Sequence, residues 1–369
     1  MGKPLNIGVI GAGAISGAYA ATLKDLDGLR VAAATDLDRE RAERLAGTLP
    51  GEVAVAGTAD ALLARDDVDA VLNLTLPAVH ATVSLAALRA GKHVYSEKPL
   101  AARREEADVL LAESRARGLR VGCAPDTVLG TGIQTARRAV DDGEIGTPVA
   151  ATAFMTTAGH ERWHPDPEFY YRPGGGPLLD MGPYYLSALV HLLGPVARVA
   201  GAASRSRAER LIGSGPRAGT RFPVEVDTHV TGLLHHVGGA VTTLVMSFDI
   251  QAARLPRIEV YGTTGTLSVP DPNTFDGITS LSRDTGEWEP LPASAGYRPG
   301  ARGAGLADLA DALATGRPHL ASAELAAHVL DVMLTLLDAA EHGGTLPVTR
   351  ATGRPDAVPG PVTTFRSAD

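Results

Sequence analysis

The chain is 369 residues long, enough for about two domains of ordinary size. Apolar residues at 44% and charged residues at 21% exclude wholesale disorder, and 34 Lys and Arg against 42 Asp and Glu leave a net charge of −8. That balance disfavours nucleic acid or an anionic membrane surface as a partner, and a single cysteine, Cys123, excludes a disulfide framework or a cysteine-based zinc module.

The first apolar run, Asn6–Ile10, lacks the basic leader and long apolar stretch of an export signal and reads as a strand. Further strand-like runs at Leu29–Thr35, Ala70–Leu74, His93–Ser96 and Arg120–Cys123 alternate with helical patterns. Those patterns cover Ser16–Leu26, Arg39–Leu49, Ala59–Arg65, Val79–Ala90 and Arg103–Arg117. Continuously apolar strands between helices predict an α/β domain, a doubly wound parallel sheet covered on both faces, over residues 1–128. The Gly/Thr-rich stretch Thr127–Gly132 breaks the pattern. Cys123 falls in the last strand and reads as an inert buried thiol.

A second domain is expected over 129–350. A helix (Ile133–Asp142) and a strand (Pro148–Thr157) precede an irregular loop rich in His, Pro, Tyr and Gly, then an apolar helix from about Asp180 to Leu193. Alternating runs follow at Val196–Ala203, Val226–His235, Ala240–Asp249, Ile258–Tyr261 and Thr266–Val269. They predict an α+β domain with a large, mostly antiparallel open sheet, one face under helices. Helices near Gly305–Ala314 and Ala323–His342 close the domain, and 351–369, with three prolines, is expected to trail over the surface. No apolar run reaches the roughly 18 residues of a membrane span, so a soluble, cytoplasmic chain is expected.

Gly11-Ala12-Gly13-Ala14-Ile15-Ser16 lies between the first strand and its helix. Gly11 permits a tight turn, Gly13 lets the backbone approach a pyrophosphate, and the amides through Ala14 and Ile15 open a helix N-terminus. Ser16 stands where the fingerprint has a third glycine. Asp36 ends the second strand roughly 20 residues later, where a carboxylate binds ribose hydroxyls and repels a 2′-phosphate. Two readings of Asp36 stand together: ribose ligand, favouring NAD, and helix cap, for which Asp38 is the better placed. Arg39 and Arg41 could neutralise a phosphate, which keeps NADP open.

With these motifs, Ala90-Gly91-Lys92-His93-Val94-Tyr95-Ser96-Glu97-Lys98-Pro99-Leu100 and Gly174-Gly175-Gly176-Pro177-Leu178-Leu179-Asp180-Met181-Gly182-Pro183-Tyr184, the sequence resembles the Gfo/Idh/MocA oxidoreductases over nearly its whole length. The late Tyr261-Gly262-Thr263-Thr264-Gly265-Thr266-Leu267 turn belongs to the same likeness. The resemblance implies a Rossmann domain binding NAD or NADP, and hydride transfer at a secondary alcohol or ketone of a sugar, cyclitol or sugar derivative. It implies that Lys98 stabilises a developing alkoxide, with Pro99 in cis aiming it and Glu97 beside the cofactor. It also implies that Asp180 orients substrate and Tyr184 transfers a proton, where many relatives carry His. A phenol in that role needs a neighbouring cation. Thr75, Pro77 and His80 would flank the nicotinamide ribose.

Each residue also has a plainer reading. Glu97 and Lys98 could form a surface ion pair, Asp180 could be a helix cap with Tyr184 in the core, and His80 a capping histidine. Tyr185 points about 100° around the helix from Tyr184, toward packing. Asp126, at the carboxyl end of the fifth run, either contacts substrate or caps the helix near Gly130.

His160-Glu161-Arg162-Trp163-His164 spells HExxH, yet Gly159 before it and Pro165-Asp166-Pro167 after it leave barely one helical turn, so no metal is expected. Instead His160, Trp163, His164 and Tyr170, with Tyr171 and Arg172, are expected to overhang the site and contact a polyhydroxylated substrate. The uncovered sheet face is expected to form a homodimer or homotetramer. Two rival classes remain: a glycosidase- or lyase-type enzyme using NAD transiently, and a non-catalytic dinucleotide sensor.

Overall fold

Short apolar strands alternating with helices build the first of two units. In this computed structural model, residues 4–26, 28–283, 286–298 and 300–363 are described. The strands and helices run β1 (Leu5–Ile10), α1 (Ser16–Leu23), β2 (Leu29–Thr35), α2 (Arg39–Thr48), β3 (Ala54–Val55), α3 (Ala59–Leu63), β4 (Ala70–Asn73), α4 (His80–Arg89), β5 (His93–Ser96), α5 (Arg104–Arg117) and β6 (Val121–Cys123). The sheet is parallel, in the order β3-β2-β1-β4-β5-β6. Ile7, Ala33, Val71 and Val94 have no exposed surface, as strands covered on both faces require. Strand order reverses between β1 and β4, and the carboxyl ends of these two strands open the crevice where such sheets bind ligands.

The second unit begins with α6 (Thr131–Asp141), β7 (Pro148–Thr156), α7 (Pro177–Leu193) and β8 (Val196–Ser204). A small hairpin, β9 (Glu209–Leu211) with β10 (Arg221–Pro223), precedes β11 (His229–His236), β12 (Val241–Ser247), β13 (Ile258–Gly262), β14 (Thr266–Val269), β15 (Ser280–Ser282) and β16 (Trp288–Pro290). The chain then forms α8 (Ala304–Thr315), α9 (Ala323–His342) and β17 (Thr345–Pro347). Nine strands pair in the order β16-β15-β14-β13-β7-β12-β11-β8-β17, antiparallel except for β12 with β7. Leu186, Leu189 and Val190 of α7, with Val332, Met333 and Leu336 of α9, are buried with the inward side chains Val199, Leu234 and Leu244. A Cβ on Gly201 or Gly232 would stand 2.6 or 2.5 Å from Leu336 Cδ1, so glycines let that helix lie against β8 and β11. On the opposite face, Phe154, Thr231, Leu233 and Val245 keep partial exposure.

The units do not follow the expected boundaries. Residues up to Thr131 are joined by 295–327 and by the described residues from Ala357, whereas the second unit holds 132–294 and 328–356. The physical reason is the edge of β6. Cys123 N–H donates to Ala321 O at 2.9 Å, Gly122 bridges Ser322, and α8 buries Leu306 and Leu309. Nor do residues 351–363 of the last segment simply trail over the surface; 364–369 lie outside the described residues. Arg354 donates to the carbonyls of His191 and Leu192, each at 2.8 Å, and to Asp141 at 2.7 Å, while Val358 is buried. Among the described residues no helix is long and apolar enough to cross a membrane.

Candidate active site

The glycine turn is built as its letters suggest. Gly11 has φ +99°, and a Cβ there would stand 2.6 Å from Leu74 O, so both the turn and the packing against β4 demand glycine. Nothing lies within 4 Å of a Cβ on Gly13 or Gly17. The protein therefore has no internal need for those glycines, and their bare backbone faces open space. No side chain caps α1, whose first turn is held by Ser16 Oγ on Gly13 O at 2.7 Å. A cleft of about 500 Å³ separates this turn from Arg41, Arg44 and Leu45 of α2.

Asp36 is half-buried at the end of β2 and ties the turn down. Its Oδ2 accepts Ala12 N–H at 2.6 Å and its Oδ1 accepts Asp38 N–H at 2.8 Å. Lone pairs remain on both oxygens for ribose hydroxyls. Asp38 caps α2 through Glu40 and Arg41 N–H. A bare glycine cradle, an uncapped helix start and this carboxylate fit a dinucleotide: Gly11 to Ile15 would hold its pyrophosphate and Asp36 its ribose.

The Glu97-Lys98-Pro99 turn follows β5, with the Lys98–Pro99 peptide in cis. Glu97, expected beside the cofactor, is turned inward and buried. Its Oε1 accepts the Tyr19 hydroxyl at 2.8 Å and its Oε2 accepts Lys98 N–H at 3.0 Å. It anchors the lysine's backbone, and its burial replaces the surface ion pair. Burial and the Glu97 carboxylate push the Tyr19 phenol well above its ordinary value, so it stays a donor.

His80 is likewise buried. Its Nδ1 lies 2.8 Å from Pro99 O and its Nε2 2.9 Å from Thr75 O, so it clamps two turns together. A neutral ring donates to one of those carbonyls at a time and the doubly protonated ring to both. Thr75 Oγ1 donates to Asn73 Oδ1 at 2.6 Å, and Pro77 opens the short turn before α4.

Asp126, offered by the sequence as substrate contact or helix cap, supports a helix start. It has no exposed surface, and its Oδ2 accepts Gly303 N–H at 2.8 Å and Gly305 N–H at 3.1 Å, holding the start of α8. Burial raises its carboxyl above the usual range. Cys123 is a buried free thiol, pushed up by the same cause.

In the second unit, Gly174 and Gly176 have positive φ, and a Cβ on Gly175 would stand 2.6 Å from Phe169 O. The triple glycine thus turns tightly against 169–172 and delivers Pro177 to the first position of α7. Asp180 lies in the first turn of that helix, where its charge suits the helix dipole. His160 Nε2 stands 3.1 Å from Asp180 Oδ2, the two side chains 12% and 16% exposed. Tyr184 follows one turn later and is 5% exposed, while Tyr185 is fully buried in the core as expected.

The loop residues gather into one aromatic cluster. His160 packs against Phe248, Tyr170 and Trp163, with ring centroids 4.4, 4.6 and 5.3 Å away. His164 sits 5.6 Å from Tyr170, and its Nδ1 accepts Asp166 N–H at 3.0 Å. The HExxH letters form no zinc-site helix: His160–Arg162 is a single 3-10 turn, and Glu161 is buried against Arg210, 2.7 Å away. Tyr19, Asn73, Arg210 and Phe248 carry this architecture without having stood out in the sequence. The partners of Tyr19, Arg210 and Phe248 lie far along the chain, whereas Asn73 is marked only by its bonds to nearby Thr75, His80 and Ser84.

These features are those of a dinucleotide-dependent oxidoreductase. Residues 5–124 match the oxidoreductase family with an NAD-binding Rossmann fold and 133–268 its GFO/IDH/MocA C-terminal domain, and the chain belongs to that family. It is 36% identical to dTDP-3,4-didehydro-2,6-dideoxy-alpha-D-glucose 3-reductase of Streptomyces antibioticus, over 71% of this chain and 74% of that one. Inositol 2-dehydrogenase 3 of Saccharopolyspora erythraea is 36% identical over 40% of this chain and 44% of that one. Among solved structures, an NAD-binding oxidoreductase from Klebsiella pneumoniae matches with a TM-score of 0.77 at 26% identity, covering 94% of this chain and 100% of that one.

Proposed function

We propose that this oxidoreductase moves hydride between NAD and a secondary alcohol or ketone of a sugar, cyclitol or sugar derivative. The observation that carries the reading is the pairing of Asp180 with His160 beneath Trp163 and Tyr170. There a carboxylate able to accept hydroxyl donors adjoins aromatic faces able to pack on sugar C–H groups. The sugar reductase and inositol dehydrogenase names of the relatives support the same substrate class.

When bound, NAD supplies the hydride acceptor or, reduced, the donor. The Lys98 ammonium stabilises negative charge on the substrate oxygen, the Tyr184 hydroxyl exchanges a proton with that oxygen, and Asp180 orients the neighbouring hydroxyls. The partly apolar outer sheet face, with Phe154, Leu233 and Val245, supports homo-oligomerisation, which light scattering on purified protein reads directly.

The test is a screen of polyols with NAD⁺ and of keto-sugars with NADH, run beside the Lys98→Ala protein. Turnover that falls by about 10²- to 10⁴-fold in Lys98→Ala, with NADH binding retained, is the expected result. Product formed without net NADH would assign the transient-NAD chemistry instead. A Lys98→Ala protein with undiminished turnover would refute the lysine's role, and NADH binding with no turnover of any polyol or keto-sugar by the wild type would favour a sensor.

A further inference from the structure

Asp180 can orient a substrate hydroxyl only if its own carboxylate is held still, and a group that holds it comes from a loop twenty residues earlier in the chain. His160 meets Asp180 through Nε2 at 3.1 Å, and its ring is fixed by Phe248 and Tyr170 with centroids 4.4 and 4.6 Å away. The backbone beneath the ring is pinned in turn. Glu161 Oε1 takes Arg210 Nη1 at 2.7 Å, its other oxygen accepts the Tyr171 hydroxyl, and Arg210 continues to Asp249. Asp249 also accepts Thr228 Oγ1 at 2.6 Å and Ser206 Oγ at 2.7 Å. Gly213 N–H closes the turn on Glu161 O at 2.7 Å, and Tyr171 Oη accepts His160 N–H at 3.2 Å. A side chain on Gly159, at φ +109°, would collide with Glu161 and Arg210.

We propose that His160 is the positioning residue of Asp180, and that the buried Glu161–Arg210–Asp249 chain exists to hold His160 in that place. The proposal rests on the sugar-oxidoreductase reading for the use made of Asp180. Burying an arginine and a glutamate at 1% and 7% exposure is a costly way to fasten a loop, and apolar side chains of similar volume would hold it at least as firmly. What the charged arrangement adds is direction. It fixes the one backbone path that turns the imidazole edge toward α7, so the Nε2 proton goes to Oδ2. A bond from N–H to a carboxylate is among the stronger single contacts a side chain makes. The titratable groups around the ring are Asp180 from the helix, Tyr170 and His164 from the loop, and Tyr171 at its backbone; Phe248 contributes no charge.

The experiment compares His160→Leu, His160→Gln and Asp180→Asn with the wild-type holoenzyme on the best sugar substrate found. His160→Leu is expected to lower kcat about 10- to 100-fold, the value of a hydrogen bond to a charged group, with KM changed far less. His160→Gln places an amide N–H near the position of Nε2 and should recover most of that loss. In an Asp180→Asn background His160→Leu should cost little more, because the group being positioned has already lost its charge. A kcat unchanged in His160→Leu, or an equal loss in the Asp180→Asn background, would overturn the proposal. So would a His160→Gln protein as slow as His160→Leu, which would make the imidazole a proton carrier.

NMR of ¹⁵N-histidine-labelled protein supplies a reading independent of turnover and of the fate of the leucine variant. A slowly exchanging His160 Nε2–H signal is expected in the wild type and should vanish in Asp180→Leu. If that signal behaves so while no sugar or cyclitol is turned over, the pairing stands and the substrate reading falls. If sugar is turned over and no such signal exists, the pairing falls and the reading stands.

Discussion

Replacing Asp36 by Asn tests the cofactor site where its chemistry is most explicit. The wild-type carboxylate accepts Ala12 N–H at 2.6 Å and Asp38 N–H at 2.8 Å and keeps lone pairs for the ribose of NAD. A 2′-phosphate would offer that carboxylate no donor and would bring between one and two further negative charges. Two unit charges about 4 Å apart repel by roughly 4 kcal/mol at an effective dielectric of about 20, and partial exposure with salt reduces this to about 1–3 kcal/mol. Asp36→Asn should therefore shift the ratio of NADPH to NADH affinity by about 10- to 100-fold toward NADPH. Asn keeps one carbonyl oxygen, so one backbone N–H loses its acceptor and stability falls by about 1 kcal/mol. Parallel fluorescence titrations with NADH and NADPH at fixed salt measure the ratio. A wild type that already binds NADPH as tightly as NADH would refute the reasoning, as would a variant with an unchanged ratio. Control would then pass to Arg41 and Arg44, whose nitrogens stand 3.3 and 3.5 Å from Asp38 and Glu40.

Gly11→Ala must place a Cβ 2.6 Å from Leu74 O at φ +99°, a strain of about 2–4 kcal/mol, and should lower Tm and weaken NADH binding at least tenfold; wild-type affinity would show the turn is not the cradle. His191 is fully buried, and neither ring nitrogen has a hydrogen-bond partner among the described residues. Burial first, then the Arg137 and Arg354 guanidiniums, hold its pKa down at about 3. The unfolded chain therefore binds a proton between about pH 6.5 and 3 that the folded chain refuses, and stability drops as pH falls through that window, by at most about 1.4 kcal/mol per unit. His191→Leu should be more stable than the wild type at pH 7 and by a wider margin at pH 5, as melting temperatures would record; a constant margin would refute it. His236, held at about 4 mainly by burial, leaves a residual slope in both proteins.

The first unit was legible because strand and helix periods persist long enough to be counted and because the glycine turn is a local motif. Elements of two or three residues, such as β3, β9 and β10, have no period to read and were missed. The capture of 295–327 by the first unit could not be seen either. It depends on the free edge of β6 and on Asp126 meeting Gly303 and Gly305, contacts between segments about 175 residues apart that leave no periodic trace. The candidate residues divide the same way. Gly11, Asp36, Lys98 and Asp180 are marked by position within motifs, whereas the internal bonds of Glu97, His80 and Asp126 leave no mark in the sequence. A motif names residue types and cannot say which of two adjacent charged side chains faces inward.

That last ambiguity is resolved alike in both units. Glu97 is buried on Tyr19 and on its neighbour's N–H, and the next side chain, Lys98, is half-buried. Glu161 is buried on Arg210 and Tyr171, and the preceding side chain, His160, meets Asp180. Adjacent side chains leave the backbone in different directions, on opposite sides of an extended chain and about 120° apart in a 3-10 turn such as His160–Arg162. Committing a glutamate to the interior therefore fixes where its neighbour points. Protein donors take the place of water at each carboxylate, so neither is left buried and unsatisfied. In the HExxH letters this reverses the expected division of labour. A metalloprotease needs the glutamate free beside two imidazoles on one helix face, whereas here the glutamate is the pin and a single imidazole, aimed by it, is the product.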